Sequence, residues 1–177
     1  MSLIGRFNLV INAGSAKPSP AIGQALGPLG INMMQFCKEF NARTSKVRPD
    51  VPIQVQLLPL TDRTFKFWLR GPPAFWFIRR VARVPLGSAY PGHDILGNIT
   101  LKEIYHIAKA KCMDPPLVGR PLKSIVAALI GTGNAMGVTT SRELLPEFIK
   151  RDFVEVGALD AMKARIKAQN KAQKRKK

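Results

Sequence analysis

A glycine and two prolines, Gly71-Pro72-Pro73, divide this chain into halves with different hydrophobic periods. Two prolines stiffen the backbone and cannot continue a β-ladder, so a strand reaching them must stop. Before them the period is two. Phe7, Leu9 and Ile11 alternate with Asn8, Val10 and Asn12 up to Gly14, the pattern of a half-buried strand. Ile53, Val55 and Leu57 alternate with Gln54 and Gln56; past Thr61-Asp62-Arg63, Phe65, Phe67 and Leu69 alternate with Lys66 and Arg70. That is a hairpin. Between strand and hairpin, Pro18, Pro20, Gly23, Gly27, Pro28 and Gly30 punctuate a stretch with few side chains to pack. A helix follows it, N-capped by Asn32, with Met33, Phe36, Cys37 and Phe40 on one face.

After the prolines the period lengthens to that of helices. Ala74, Phe77, Ile78 and Val81 share a face, with Arg79, Arg80 and Arg83 off it. Residues 85–98 read as a loop with little to hold it. Thr100 and Glu103 have capping-box spacing and open a helix expected to turn Leu101, Ile104, Tyr105 and Ala108 inward. Pro115, Pro116 and Pro121 separate it from a last helix facing the core with Leu122, Ile125, Val126, Leu129 and Ile130. The expected fold class is α+β. A small N-terminal α+β domain (strand, helices, β-hairpin) spans residues 1–71, and a three-helix C-terminal domain spans 72–141. A basic extension, helical or disordered, spans 142–177 and ends Lys174-Arg175-Lys176-Lys177.

Charge narrows the function. Lys and Arg number 28 against 11 Asp and Glu, a net charge of +17. Uncompensated like charge opposes compaction, so such a chain points to a polyanion nearby, nucleic acid being the usual one and a solvated basic surface the alternative. Residues 143–177 hold 10 Lys+Arg and 5 Asp+Glu, leaving 18 against 6 in residues 1–142, so the body itself is basic.

Catalysis finds little support. His93 and His106 lack the Ser, Cys or carboxylate partners of a triad. Cys37 and Cys112, with no Cys-x-x-Cys, read as small core thiols of a reducing compartment rather than zinc ligands. Gly23-x-x-x-Gly27-x-x-Gly30 lacks the Gly-Lys-Ser/Thr ending of a phosphate loop. No catalytic residue, cofactor or metal is therefore expected. No apolar run approaches the roughly 18 residues of a membrane helix, and the residues before the first strand are too few for a secretory signal.

The last helix carries the more informative pattern. Ser124, Ala128, Gly131 and Ala135 form a stripe of small residues at helical spacing. Gly131, Gly133 and Gly137 each cost roughly 1 kcal/mol against alanine inside a helix. Two explanations stay open. The minor groove of an A-form RNA helix could approach the stripe, its 2′-hydroxyls meeting Thr132 and Asn134. Alternatively, the stripe serves tight helix–helix packing or marks a frayed end.

The run Ala16-Lys17-Pro18-Ser19-Pro20-Ala21-Ile22-Gly23-Gln24-Ala25-Leu26-Gly27-Pro28-Leu29-Gly30-Ile31-Asn32, then Phe36-Cys37-Lys38-Glu39-Phe40-Asn41-Ala42-Arg43-Thr44, closely resembles the ribosomal protein L11 family of bacterial and organellar type. The similarity continues through Asp62-Arg63-Thr64-Phe65 and Pro72-Pro73 to Ile130-Gly131-Thr132-Gly133-Asn134-Ala135-Met136-Gly137. The resemblance implies a structural constituent of the large ribosomal subunit, not an enzyme. Its C-terminal domain would grip the GTPase-associated segment of large-subunit rRNA with the last helix in a minor groove. Its mobile N-terminal domain would face rRNA and the translational GTPases, forming part of the thiostrepton site in bacteria. Neighbouring large-subunit proteins, including the stalk base, are the other implied partners.

Carried over by position, the RNA-facing set is Gly131, Thr132, Asn134, Ala135 and Met136 with Gly87 and Ser88, and the N-domain set is Pro18, Pro20, Ala21, Gly23 and Gln24. Departures from the family pattern also matter. Asn134 and Ala135 stand where an Arg and a Ser are usual, and a commonly Lys-rich loop holds Tyr90, His93, Asp94 and Ile95. Arg79 and Arg80, with Arg83 and the tail, are the candidates to carry the displaced charge. Asp114–Arg120 resembles a short insertion. The basic extension resembles those of mitochondrial members, which points to a mitochondrial ribosome, with plastid or bacterial cytoplasm left open. A non-ribosomal RNA-binding module is the competing function, and it would have no need of the Pro18–Gly30 run.

Overall fold

A computed structural model describes residues 4–149 and Ile166, so the expected character of the extension lies largely outside the described residues. The chain divides into two compact units, Met1–Pro73 and Ala74–Lys177.

In the first unit β1 (Phe7–Asn12), β2 (Pro52–Pro59) and β3 (Phe65–Arg70) form an antiparallel sheet with β2 in the centre. Pro52 is tolerated because it opens its strand. Helices α1 (Pro20–Leu26) and α2 (Met33–Thr44) supply the rest. Asn32 caps α2 through its side chain, accepting from the N–H groups of Met34 and Gln35 at 3.0 and 3.4 Å. The apolar face of α2 buries Phe36, Cys37 and Phe40. Phe36 meets the rings of Phe65 and Phe67 edge-on at 5.8 and 5.5 Å, which seats α2 on one face of the sheet. Ile53, Val55 and Leu57 are buried on that same face. The opposite face keeps Val10 and Trp68 in solvent.

In the second unit α3 (Ala74–Ala82), α4 (Leu101–Lys111) and α5 (Leu122–Asn134) enclose Ile78, Ile99, Ile104, Ile107, Ile125, Leu129 and Val138. Each such side chain contributes about 1.5–3 kcal/mol on leaving water. The three helices are joined by a parallel pair that periodicity did not reveal, β4 (Gly97–Thr100) and β5 (Val138–Ser141). Asn98, fully buried, ties the pair together. Its Nδ2 donates to the Thr139 hydroxyl at 3.0 Å, and its Oδ1 accepts from Ser141 Oγ at 2.8 Å and from the Leu145 N–H at 3.5 Å.

Two expectations are corrected here. The inward face of α4 is Ile104, Ile107, Ala108 and Lys111, while Leu101 and Tyr105 are 44% and 47% exposed. Both sets have i, i+3, i+4, i+7 spacing and share Ile104 and Ala108, so periodicity alone could not choose between them. Burial of Lys111 is balanced by its ion pair with Asp114 in the next turn. The segment 85–98 is also far from unheld. The Ser88 N–H donates to Met136 O at 3.0 Å and the Leu96 N–H to Gly137 O at 2.8 Å, while Arg79 Nη2 donates to Pro85 O. Its last two residues already belong to β4. The capping box of α4, by contrast, is as expected: Thr100 Oγ1 accepts from the Glu103 N–H, and the Glu103 carboxylate accepts from the Thr100 N–H at 2.8 Å.

Candidate RNA interface

The end of α5 and the 85–96 loop meet in one place because the turn after α5 is stitched to both ends of that loop. Gly137 makes the turn possible at φ +74°, a left-handed conformation that side chains resist. A Cβ there would stand 2.7 Å from both Asp94 O and Ser88 Cβ. Gly133 is buried and closely fitted, since its Cβ would stand 3.3 Å from Val138 O and the strand would have to give by a few tenths of an ångström. These two glycines therefore need no external partner, which narrows the argument made from three.

Gly131 differs. It is exposed, and nothing lies within 4 Å of where its Cβ would be. Ser124, Ala128 and Ala135 are exposed with it, so the stripe faces outward and does not pack inside the unit. Thr132 is half-buried and donates its hydroxyl to Ala128 O at 2.9 Å, which leaves the oxygen free to accept from a ligand. Asn134 is exposed, offering an amide donor and acceptor. Met136 packs partly on the core and backs Gly87, whose Cβ would sit 3.7 Å from Met136 O. Gly131, Thr132, Asn134, Ala135, Met136, Gly87 and Ser88 thus lie along one ridge.

The two arginines sit differently. Arg79 reaches the Pro85 carbonyl, so it holds the base of the loop, and Arg80 lies over the Trp76 ring with its guanidinium carbon 4.7 Å from the centroid. The N-domain set falls in the other unit. Pro20 opens α1, and Pro18, Pro20 and Gln24 are exposed. Gly23 is half-buried against Met33, its N–H donating to Ser19 O at 2.8 Å. Asn41 pins the run leading into α1: Oδ1 accepts from the Ala16 N–H at 3.0 Å and Nδ2 donates to Ala16 O at 3.1 Å. Thr44 Oγ1 accepts from the Gly14 N–H at 3.1 Å. Asn41, Thr44 and Asn98 were missed as positioning residues. Nothing in the sequence distinguishes an amide or hydroxyl that turns inward from one that faces water.

Among the described residues no group of three or more His, Cys, Asp or Glu could hold a metal ion, and no helix is long and apolar enough to cross a membrane. An exposed ridge of small and polar residues on a basic two-unit chain is a surface suited to binding a polyanion.

The family follows from comparison with known proteins. Residues 7–65 match the N-terminal domain of ribosomal protein L11, and residues 70–140 match its RNA-binding domain. Large ribosomal subunit protein uL11m of Schizosaccharomyces pombe is 45% identical over 132 residues, covering 75% of this chain and 92% of that protein. The chain belongs to the ribosomal protein L11 family. It is a ribosomal protein with an RNA-binding domain and not an enzyme, and its yeast relative is the mitochondrial member.

Proposed function

We propose that this protein works in the large subunit of the mitochondrial ribosome, where its second unit grips the GTPase-associated segment of the rRNA. The ridge from Gly131 to Met136, flanked by Gly87 and Ser88, enters a minor groove. One observation carries the reading: Gly131 is exposed beside open space, at a helical position where glycine costs roughly 1 kcal/mol and no internal contact requires it. A surface without side chains lets the RNA backbone approach closely, and Thr132 and Asn134 then reach its 2′-hydroxyls. The Pro18–Gln24 face of the first unit meets rRNA and the translational GTPases, with the stalk base and neighbouring subunit proteins beside it.

A pair of substitutions separates these roles. Gly131→Leu places a branched side chain in the proposed groove and should weaken binding to the rRNA segment at least tenfold, while circular dichroism shows the helix retained. Pro20→Ser should leave that binding within a few-fold and alter factor-dependent GTP hydrolysis on assembled subunits. Normal rRNA binding by Gly131→Leu would place the contact surface elsewhere.

A further inference from the structure

The sheet of the first unit has one face covered by α2 and one face open. Strand alternation puts Asn8 and Val10 of β1, Gln54 and Gln56 of β2, and Lys66, Trp68 and Arg70 of β3 on the open face. The register lines them up in rows: Asn8, Gln56 and Trp68 in one, Val10, Gln54 and Arg70 in the next. Trp68 is 47% exposed although it is the largest side chain on the face. No strand residue on this face is acidic. Lys66 and Arg70 flank Trp68 on the same strand, each about 7 Å along it. Arg70 Nη2 donates to Gln56 Oε1, which directs the guanidinium across the sheet and leaves its other N–H donors for a ligand.

We propose that this face is a further RNA surface, separate from both the α5 ridge and the Pro18–Gln24 face, and that it takes an unpaired stretch of RNA by stacking a base on Trp68. A flat indole between two cations on an acid-free sheet suits a ligand carrying both π-faces and regularly spaced negative charge. Unpaired RNA has both, and its bases are free to stack on an aromatic platform. Duplex RNA fits poorly, since its bases are already stacked. An acidic protein segment would satisfy the cations but leave the indole without a planar partner. β3 is the last strand of the sheet and Trp68 is half-exposed on it, so an RNA strand can lie along Lys66, Trp68 and Arg70 with phosphates near the cations.

The chain has two tryptophans, so Trp76→Phe in the full-length protein leaves Trp68 as the sole indole reporter. Titration with a short single-stranded RNA of mixed A, C and U should quench its emission saturably. Replacing both Lys66 and Arg70 by Gln should raise the midpoint and cut the salt slope of the quench by about 1.4, as expected for two phosphate contacts on a single strand. Gly131→Leu should leave the quench intact even where it abolishes binding of the folded rRNA segment. That contrast keeps this inference distinct from the α5 reading. Absence of quenching, quenching insensitive to the double substitution, its loss in Gly131→Leu, or equal quenching by polyglutamate would each overturn the proposal, the last in favour of an acidic protein partner.

Discussion

Gly131 and Gly137 show how differently one residue type can act within a single turn and a half of chain. Gly137→Ala forces a side chain into a left-handed backbone and against Asp94 and Ser88. It should lower stability by about 1–3 kcal/mol, read as a fall in Tm. Gly131→Ala meets open space and should raise stability by up to about 1 kcal/mol while weakening RNA binding. Opposite shifts in Tm are the expected result; a loss in both would mean Gly131 has an internal role. Cys37 offers a third test. Burial raises its thiol above the ordinary value of 9.0, so the folded chain holds that proton more tightly than the unfolded one. The corresponding stability is complete below pH 9.0 and declines as pH climbs through the raised value. Cys37→Ala should flatten the alkaline limb of a stability–pH curve, and an unchanged limb would assign it to other groups.

At the level of elements, the second unit contains two paired four-residue strands that one buried amide braces. Asn98→Ala removes partners from Thr139 and Ser141 in a buried site and should cost about 1–3 kcal/mol in urea denaturation. Wild-type stability in that variant would show the clasp to be dispensable. These strands also mark where sequence reading ends. The longer strands β1, β2 and β3 announce themselves by alternation, and α2 and α4 by the caps Asn32 and Thr100. Within Gly97–Thr100, by contrast, alternation has no room to appear, and Thr100 serves both as strand end and as helix cap. The ridge on α5 was legible as a spacing of small residues. Its outward direction was not, because Gly131, Gly133 and Gly137 look alike until β5 and the 85–96 loop are in place. Trp68 was legible as outward from the alternation of Phe65, Phe67 and Leu69, but its neighbours Asn8 and Gln56 in the same row appear only with the register.

Across the whole molecule, charge and topology separate recognition from attraction. Residues 150–177 hold 10 Lys+Arg and 3 Asp+Glu, so a chain ending at residue 149 keeps 18 against 8, or +10 of the original +17. It should bind the rRNA segment within a few-fold of the full chain, with a salt slope still several units negative. Loss of all specific binding would make the extension the main site. Ending the chain at residue 141 is a harsher cut, since it removes the Leu145 N–H that reaches Asn98. That bond and its companion from Ser141 span 47 and 43 residues. During synthesis the first unit is therefore complete while the second still waits for its closing strand. In the proposed site the 85–96 loop is hydrogen-bonded to the turn at 136–137, so the ridge takes its shape only once loop and turn have met. A chain cut short of that point would keep most of the positive charge but lack the shape of the ridge.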